Sequence, residues 1–119
     1  ESKFTESPFI ENMIVVGENK EFAAALILPD FIYLKSWCDL HKVPYTTNEE
    51  IIKHPEVTKR FMTEVKKYNA LFGDYEQIKK YQLVADEWSM NNGFLSPTLK
   101  IKRKVIQKFY ESKIEQLFE

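Results

Sequence analysis

The chain has 119 residues, 44% of them hydrophobic and 29% charged, which suits one globular domain and leaves little room for a second. Seventeen basic and eighteen acidic side chains give a net charge of −1, so no overall field draws the chain to nucleic acid or to an anionic membrane. The longest apolar run, 22–28, is too short to span a bilayer, and no charged-then-apolar leader follows Glu1. A single cysteine, Cys38, excludes an internal disulfide and favours a reducing, cytoplasmic location.

The first third of the chain predicts a β-hairpin followed by a helix. Residues 9–17 form an apolar, partly β-branched run that is typical of a strand, and residues 17–20 carry a turn signal. A second apolar run, 22–28, completes an antiparallel hairpin. Its lack of alternation indicates a strand covered on both faces. Asp30 is then the N-cap residue of a helix that extends to about Lys42.

Two further helices are predicted in the middle of the chain. Thr47 or Asn48 caps a short helix that stops near His54. Pro55 suits the first position of a longer helix that ends at Gly73. Its apolar side chains recur at helical spacing and form one stripe: Val57, Phe61, Val65, Tyr68 and Phe72.

The last part of the chain returns to strand and then to helix. Residues 78–84 suit either a strand or the end of a helix, and we favour a strand from about Lys80 to Val84. A tight turn at Asn92-Gly93 and a short strand at 94–95 are expected next. Ser96-Pro97 favours an extended segment, and the apolar periodicity of 102–118 predicts one final helix. The predicted fold is therefore α+β, a small antiparallel sheet with hairpins flanked by helices.

Most residues that could support catalysis lie in unpromising contexts. The three glycines are scattered, so there is no glycine-rich phosphate loop. His41 and His54 are thirteen residues apart and neither has a second ligand at helical spacing, so no metal site is expected. Cys38 lies on an amphipathic helix, where cysteines are usually inert core residues.

The exception is a basic tract near the C-terminus. Residues 1–99 carry eleven basic and fifteen acidic side chains, whereas residues 100–119 carry six basic and three acidic ones. Five of those six cations lie between Lys100 and Lys108, at the start of the last predicted helix. The helix dipole disfavours positive charge at that end by about 0.3–1 kcal/mol per group. The tract is therefore either a solvated basic face or a set of cations held out for an external anion, with Thr98 able to fix the preceding loop by hydrogen bonding to its backbone.

The same tract resembles the C-terminal signature of the adenylate-forming enzymes, which include acyl-CoA synthetases, luciferases and peptide-synthetase adenylation domains. Most members carry Gly-Lys-Ile/Val-x-Arg here, and the long-chain fatty acyl-CoA synthetase branch carries Leu-Thr-Pro-Thr-Leu-Lys-apolar-Lys/Arg-Arg. This chain reads Leu95-Ser96-Pro97-Thr98-Leu99-Lys100-Ile101-Lys102-Arg103, and only Ser96 departs from the branch pattern. The hairpin over 9–29 and the stretches 76–81 and 92–93 resemble the family as well.

The resemblance implies that residues 1–119 form a single C-terminal lid domain. A large N-terminal domain, which holds the ATP and acyl-chain sites, and a hinge upstream of Glu1 are then absent from this chain. The implied full-length enzyme is an AMP-forming long-chain fatty-acid–CoA ligase that uses ATP, magnesium and coenzyme A, none of them expected to bind this fragment alone. Its lid rotates between formation of the acyl-adenylate and formation of the thioester. The partners implied are the N-terminal domain of the same chain, a long-chain fatty acid and, for the full-length enzyme, a peripheral membrane contact, but no nucleic acid.

By the motif match, the resemblance identifies Lys100 as the catalytic residue, which contacts ATP and the acyl-adenylate. It gives Thr98 a supporting role in the loop and leaves Lys102, Arg103 and Lys104 to orient the loop or meet solvent. The alternative hypothesis is a small anion-binding module that uses the basic C-terminal helix on nucleic acid or acidic lipid. No recognised nucleic-acid reader motif or base-stacking aromatic pattern accompanies that helix. A third hypothesis is that the chain is purely an interaction domain.

Overall fold

The computed structural model describes residues 3–18 and 20–119 and has an α+β fold, which confirms the predicted fold class. One residue of the predicted 17–20 turn, Asn19, lies outside the described residues. Short 3₁₀ turns cover Phe4–Glu6 and Asp74–Glu76. The strands and helices are β1 (Ile10–Val16), β2 (Ala23–Pro29), α1 (Phe31–Leu40), α2 (Asn48–Ile51), α3 (Pro55–Asn69), β3 (Ile78–Leu83), α4 (Arg103–Phe109) and α5 (Glu111–Leu117).

Within the part of the chain that the structure describes, the sheet has three strands in the order β1-β2-β3. β1 and β2 are antiparallel, with Met13 opposite Ile27, so the predicted hairpin is confirmed. β3 begins at Ile78, slightly before the expected Lys80, and runs parallel to β2. The expectation of an antiparallel sheet is therefore wrong for this pair, and the sheet is mixed. The helices α1–α3 carry the chain back to the end of the sheet at which β2 begins, so β3 runs in the same direction as β2.

Local signals set the helix starts. The carboxylate of Asp30 accepts a hydrogen bond from the amide of Tyr33 at 3.1 Å, which confirms the predicted cap of α1. Thr47 caps α2 in the same way. α3 starts at Pro55 as expected but ends at Asn69, before Gly73. There the side-chain amide of Gln77 donates to carbonyl oxygens at the end of this helix and just beyond it, so a further helical turn is not needed to satisfy them.

The core of the first 85 residues lies between the sheet and the helices. β2 is buried from Ala24 to its end at Pro29, which confirms the expectation that both of its faces are covered. The predicted stripe faces this core, with Phe61 of α3 fully buried and Phe72, just beyond the end of α3, packed at the margin of the core. The ring of Phe9 packs edge-on against Phe61 and Trp37 at centroid distances of 5.8 and 6.0 Å.

The N-terminal segment is attached to α3 by both apolar and polar contacts. Phe4 is buried, and its ring lies at a centroid distance of 5.9 Å from Tyr68 of α3 and at the same distance from Phe72, just beyond the helix. Ser7 is buried and its hydroxyl donates to the carboxylate of Glu64 at 2.7 Å. Glu64 is only 2% exposed and also accepts from the guanidinium of Arg60 at 2.6 Å. These contacts hold the segment before β1 against the helix.

The chain divides into two compact units, Glu1–Ala85 and Asp86–Glu119. In the second unit the predicted Asn92-Gly93 turn is present, and Gly93 adopts a positive φ of 80° that suits glycine. The single helix expected over 102–118 is wrong, because Tyr110 interrupts it between α4 and α5. The buried hydroxyl of Tyr110 donates to Asp86 at 2.9 Å, so a specific contact within the unit accompanies the break.

Candidate functional site

The basic tract begins on a small hairpin loop in the second unit. Leu95 and Ile101 form an isolated antiparallel bridge, so the short strand expected at 94–95 is reduced to this single pair. The amide of Ser96 donates to the carbonyl of Lys100 at 2.8 Å and closes the loop. The amide of Lys102 donates to the carbonyl of Phe94, also at 2.8 Å. The hairpin therefore fixes the backbone on both sides of Lys100.

The loop itself is a tight turn over Pro97, Thr98 and Leu99. The amide of Leu99 donates to the carbonyl of Ser96 at 2.8 Å, which is the bond that closes a four-residue turn. Proline suits the second position of such a turn because its φ is already set and it has no amide hydrogen to satisfy. Leu99 has a φ of 63°, in the left-handed region. A turn followed by a left-handed residue is the common form of a three-residue hairpin loop.

A side-chain network inside the loop supports the same geometry. The hydroxyl of Ser96 accepts a hydrogen bond from the amide of Lys100 at 3.1 Å and lies 3.0 Å from the hydroxyl of Thr98. Thr98 thus contacts the loop through Ser96 and not by the direct backbone bond that the sequence suggested. Ser96 is the residue that the sequence interpretation missed, although serine is favoured at the first position of such turns.

The side chain of Lys100 is exposed. Across residues 3–18 and 20–119, its ammonium group forms no hydrogen bond or ion pair. Lys102 and Lys104 are also exposed, and no acidic side chain occurs between residues 88 and 110. The loop therefore presents a cation that an external anion can reach without displacing an internal partner.

The other candidate residues have structural roles. Cys38 is fully buried, and burial, with a smaller contribution from the charge of Asp39, raises the pKa of its thiol. His41 contacts the carbonyl of Trp37 through Nδ1, and His54 caps α3. In the described part of the chain, no group of three His, Cys, Asp or Glu side chains is arranged to hold a metal ion. No helix there has the length and apolar character needed to cross a bilayer.

A family model, the AMP-binding enzyme C-terminal domain, matches residues 1–119 and so extends over both compact units. This match agrees with the family resemblance of the Leu95–Arg103 signature in the sequence. The chain belongs to the family of C-terminal domains of AMP-binding enzymes.

Curated relatives carry names from one branch of this class. The chain is 28% identical over 119 residues to the long-chain-fatty-acid–CoA ligase FadD15 of Mycobacterium tuberculosis, a match that covers 99% of this chain and 20% of the relative. It is 27% identical over 121 residues to human long-chain-fatty-acid–CoA ligase 1, with 99% of this chain and 17% of the relative covered. The chain thus spans about a fifth of the length of these relatives.

A solved structure has the same fold. It is the A domain of a carboxylic acid reductase from Segniliparus rugosus, in complex with AMP and a co-purified carboxylic acid. It matches 99% of this chain and 17% of its own with a TM-score of 0.74, at 19% sequence identity. At that identity the similarity is one of fold.

Proposed function

We propose that this chain is the C-terminal domain of an AMP-forming long-chain fatty-acid–CoA ligase and that Lys100 is its catalytic residue for acyl-adenylate formation. The observation that carries the proposal is the exposed ammonium of Lys100, which has no internal partner in the described residues and stands on a hairpin with fixed backbone geometry. The names of the full-length relatives support the substrate class.

The proposed chemistry needs a cation. A fatty-acid carboxylate and the α-phosphate of ATP are both anionic, so their approach is opposed by charge repulsion, and negative charge grows on the phosphoryl oxygens as the new bond forms. A compact ammonium on a long stem reduces this repulsion and stabilises the developing charge most strongly where water is excluded. Lys100 supplies that group, while the Ser96 hydrogen bonds keep its backbone in place.

The remaining parts of the reaction belong, in this proposal, to a larger N-terminal domain of the same chain. ATP supplies the adenylyl group, and coenzyme A supplies the thiol that displaces AMP. The exposed Lys100 ammonium suits a contact with phosphate oxygens of the bound nucleotide, whereas the ATP and magnesium sites themselves belong to the N-terminal domain. We propose that the domain rotates between the two half-reactions and withdraws Lys100 before the thiol attacks. The unpaired thiol of Cys38 supports a cytoplasmic location.

The test measures each half-reaction separately in the full-length enzyme. Lys100→Ala should slow adenylate formation by about 10²–10³-fold, the loss typical when one group that stabilises developing charge is removed. Thioester formation from added acyl-adenylate should stay within about threefold of wild type, because the lysine has been withdrawn in that step.

Lys104→Ala is the matched control, since it removes the same charge from an exposed position on the same tract. It should leave both half-reactions within about threefold of wild type. An equal loss of both half-reactions in Lys100→Ala, or an equal effect of the two variants on adenylation, refutes the proposed role of Lys100.

A further inference from the structure

A groove of about 420 Å³ runs between α3 and β3 in the first unit, away from the basic tract in sequence. Its volume is in the range of binding pockets in proteins. The lining is mostly apolar, with two lysines and two side-chain amides among the residues that form it: Met62, Val65, Lys66, Asn69, Ala70, Gln77, Ile78, Lys79 and Tyr81. Neither the proposed reaction nor the hairpin loop uses any of these residues.

One wall of the groove is an edge strand. Among the described strands, β3 pairs with β2 alone. Ile27 of β2 lies opposite Leu83 of β3, and the carbonyl of Ile27 accepts a hydrogen bond from the amide of Val84 at 2.9 Å. A parallel ladder uses every second residue, so the amide and carbonyl of Tyr81, which lies opposite Ala25, point away from β2. An unpaired strand edge is a template for another extended chain.

At the start of this edge, a side chain already makes the hydrogen bonds that a neighbouring strand would make. The side-chain amide of Asn69 donates to the carbonyl of Ile78 and accepts from its amide, each at 2.9 Å. These two bonds reproduce the exchange that an antiparallel strand makes with one residue. Asn69 therefore satisfies the backbone amide and carbonyl of Ile78. The next residue along the groove whose backbone can pair with an incoming strand is Tyr81.

The charge around the groove selects among possible strands. Lys66 and Lys79 are exposed on its rim, and none of the described residues that line it is acidic. Lysines on an edge strand oppose pairing with a second copy, because two-fold related edges bring like charges together. The same lysines favour a strand that carries carboxylates, so the groove suits an acidic peptide better than a second copy of this chain.

We propose that the groove between α3 and β3 binds an extended acidic peptide, which adds a strand to the free edge at Tyr81. Alternate side chains of the peptide would enter the apolar groove, and its carboxylates would face Lys66 and Lys79. Main-chain hydrogen bonds then supply affinity, and the groove and rim supply specificity. This inference stands apart from the proposed role of Lys100.

The probe is an acetylated hexapeptide of alternating valine and glutamate, titrated into the 119-residue chain and followed by calorimetry and by hydrogen exchange at the Tyr81 amide. We expect saturable binding and slowed exchange at Tyr81. N-methylation of the peptide amides on one edge should weaken binding by about tenfold, since it removes donors without changing charge. A hexapeptide of alternating valine and lysine should bind at least about tenfold more weakly.

Variants locate the site. Lys66→Gln and Lys79→Gln should each weaken binding by about threefold, whereas Lys53→Gln, exposed but outside the groove, should have no effect. Ala70→Trp fills the groove from an exposed position and should abolish binding, with the fold checked by circular dichroism. Absence of binding at millimolar peptide, binding insensitive to N-methylation or to Ala70→Trp, or self-association of the chain through this edge overturns the proposal.

Discussion

Leu99 holds a backbone conformation that its side chain disfavours, and this has a measurable consequence. Its φ of 63° lies in the left-handed region, where a β-carbon costs about 1–2 kcal/mol. Its side chain is 64% exposed, so truncation removes little buried apolar surface. Glycine avoids the left-handed penalty but loses about 0.5–1 kcal/mol more than alanine through chain entropy on folding. We therefore expect the Leu99→Gly variant to be more stable than the Leu99→Ala variant, with a free energy of unfolding that is higher by about 0.5–1 kcal/mol.

The assay is chemical denaturation of the two variants, with hydrogen exchange at the Lys100 amide as a local measure of loop opening. This order is the reverse of the usual one, because glycine is normally the less stable residue within regular structure. Lys42, exposed after the end of α1 with a φ of 58°, provides a second site for the same pair of substitutions. If the alanine variant is as stable as the glycine variant, or more stable, at both positions, the strain assigned to Leu99 is refuted.

Two further predictions concern the first unit. Glu64→Ala should lower the unfolding free energy by about 2–3 kcal/mol, because it leaves the buried Ser7 hydroxyl and the Arg60 guanidinium without their shared acceptor. Thr63→Ala, next to it but exposed, should cost about 0.5 kcal/mol or less in denaturation, and similar losses in the two variants would contradict this account. Cys38 should react with iodoacetamide on the order of 10²-fold more slowly than a free thiol at neutral pH, since burial and a raised pKa both reduce the accessible thiolate. Mass spectrometry of the alkylated chain measures this rate, and a rate equal to that of a short cysteine peptide would be inconsistent with the buried position.

The elements that the sequence predicts well are those whose signals are local. The β1–β2 hairpin follows from two apolar runs and a short polar loop, and the start of α1 follows from Asp30. The direction of β3 has no local signal, because its residue pattern is the same whichever way its neighbour runs. The break at Tyr110 is equally hidden, since it accompanies a hydrogen bond to Asp86, 24 residues earlier, within an unbroken apolar periodicity.

The candidate site divides in the same way. The position of Lys100 in the tract could be read from the motif, as could the turn-forming role of Pro97. The left-handed backbone of Leu99 could not, because leucine rarely adopts it and only closure of the hairpin requires it. The role of Ser96 depends on two hydrogen bonds whose geometry appears only once the loop is folded.

The attachment of the N-terminal segment to α3 has a mechanical consequence. The ring of Phe4 packs against Tyr68, and the hydroxyl of Ser7 donates to the buried carboxylate of Glu64, so two separate contacts fix this segment to α3. A force or torque applied to the chain before Phe4 is therefore transmitted to α3 and, through α3, to the sheet that it covers.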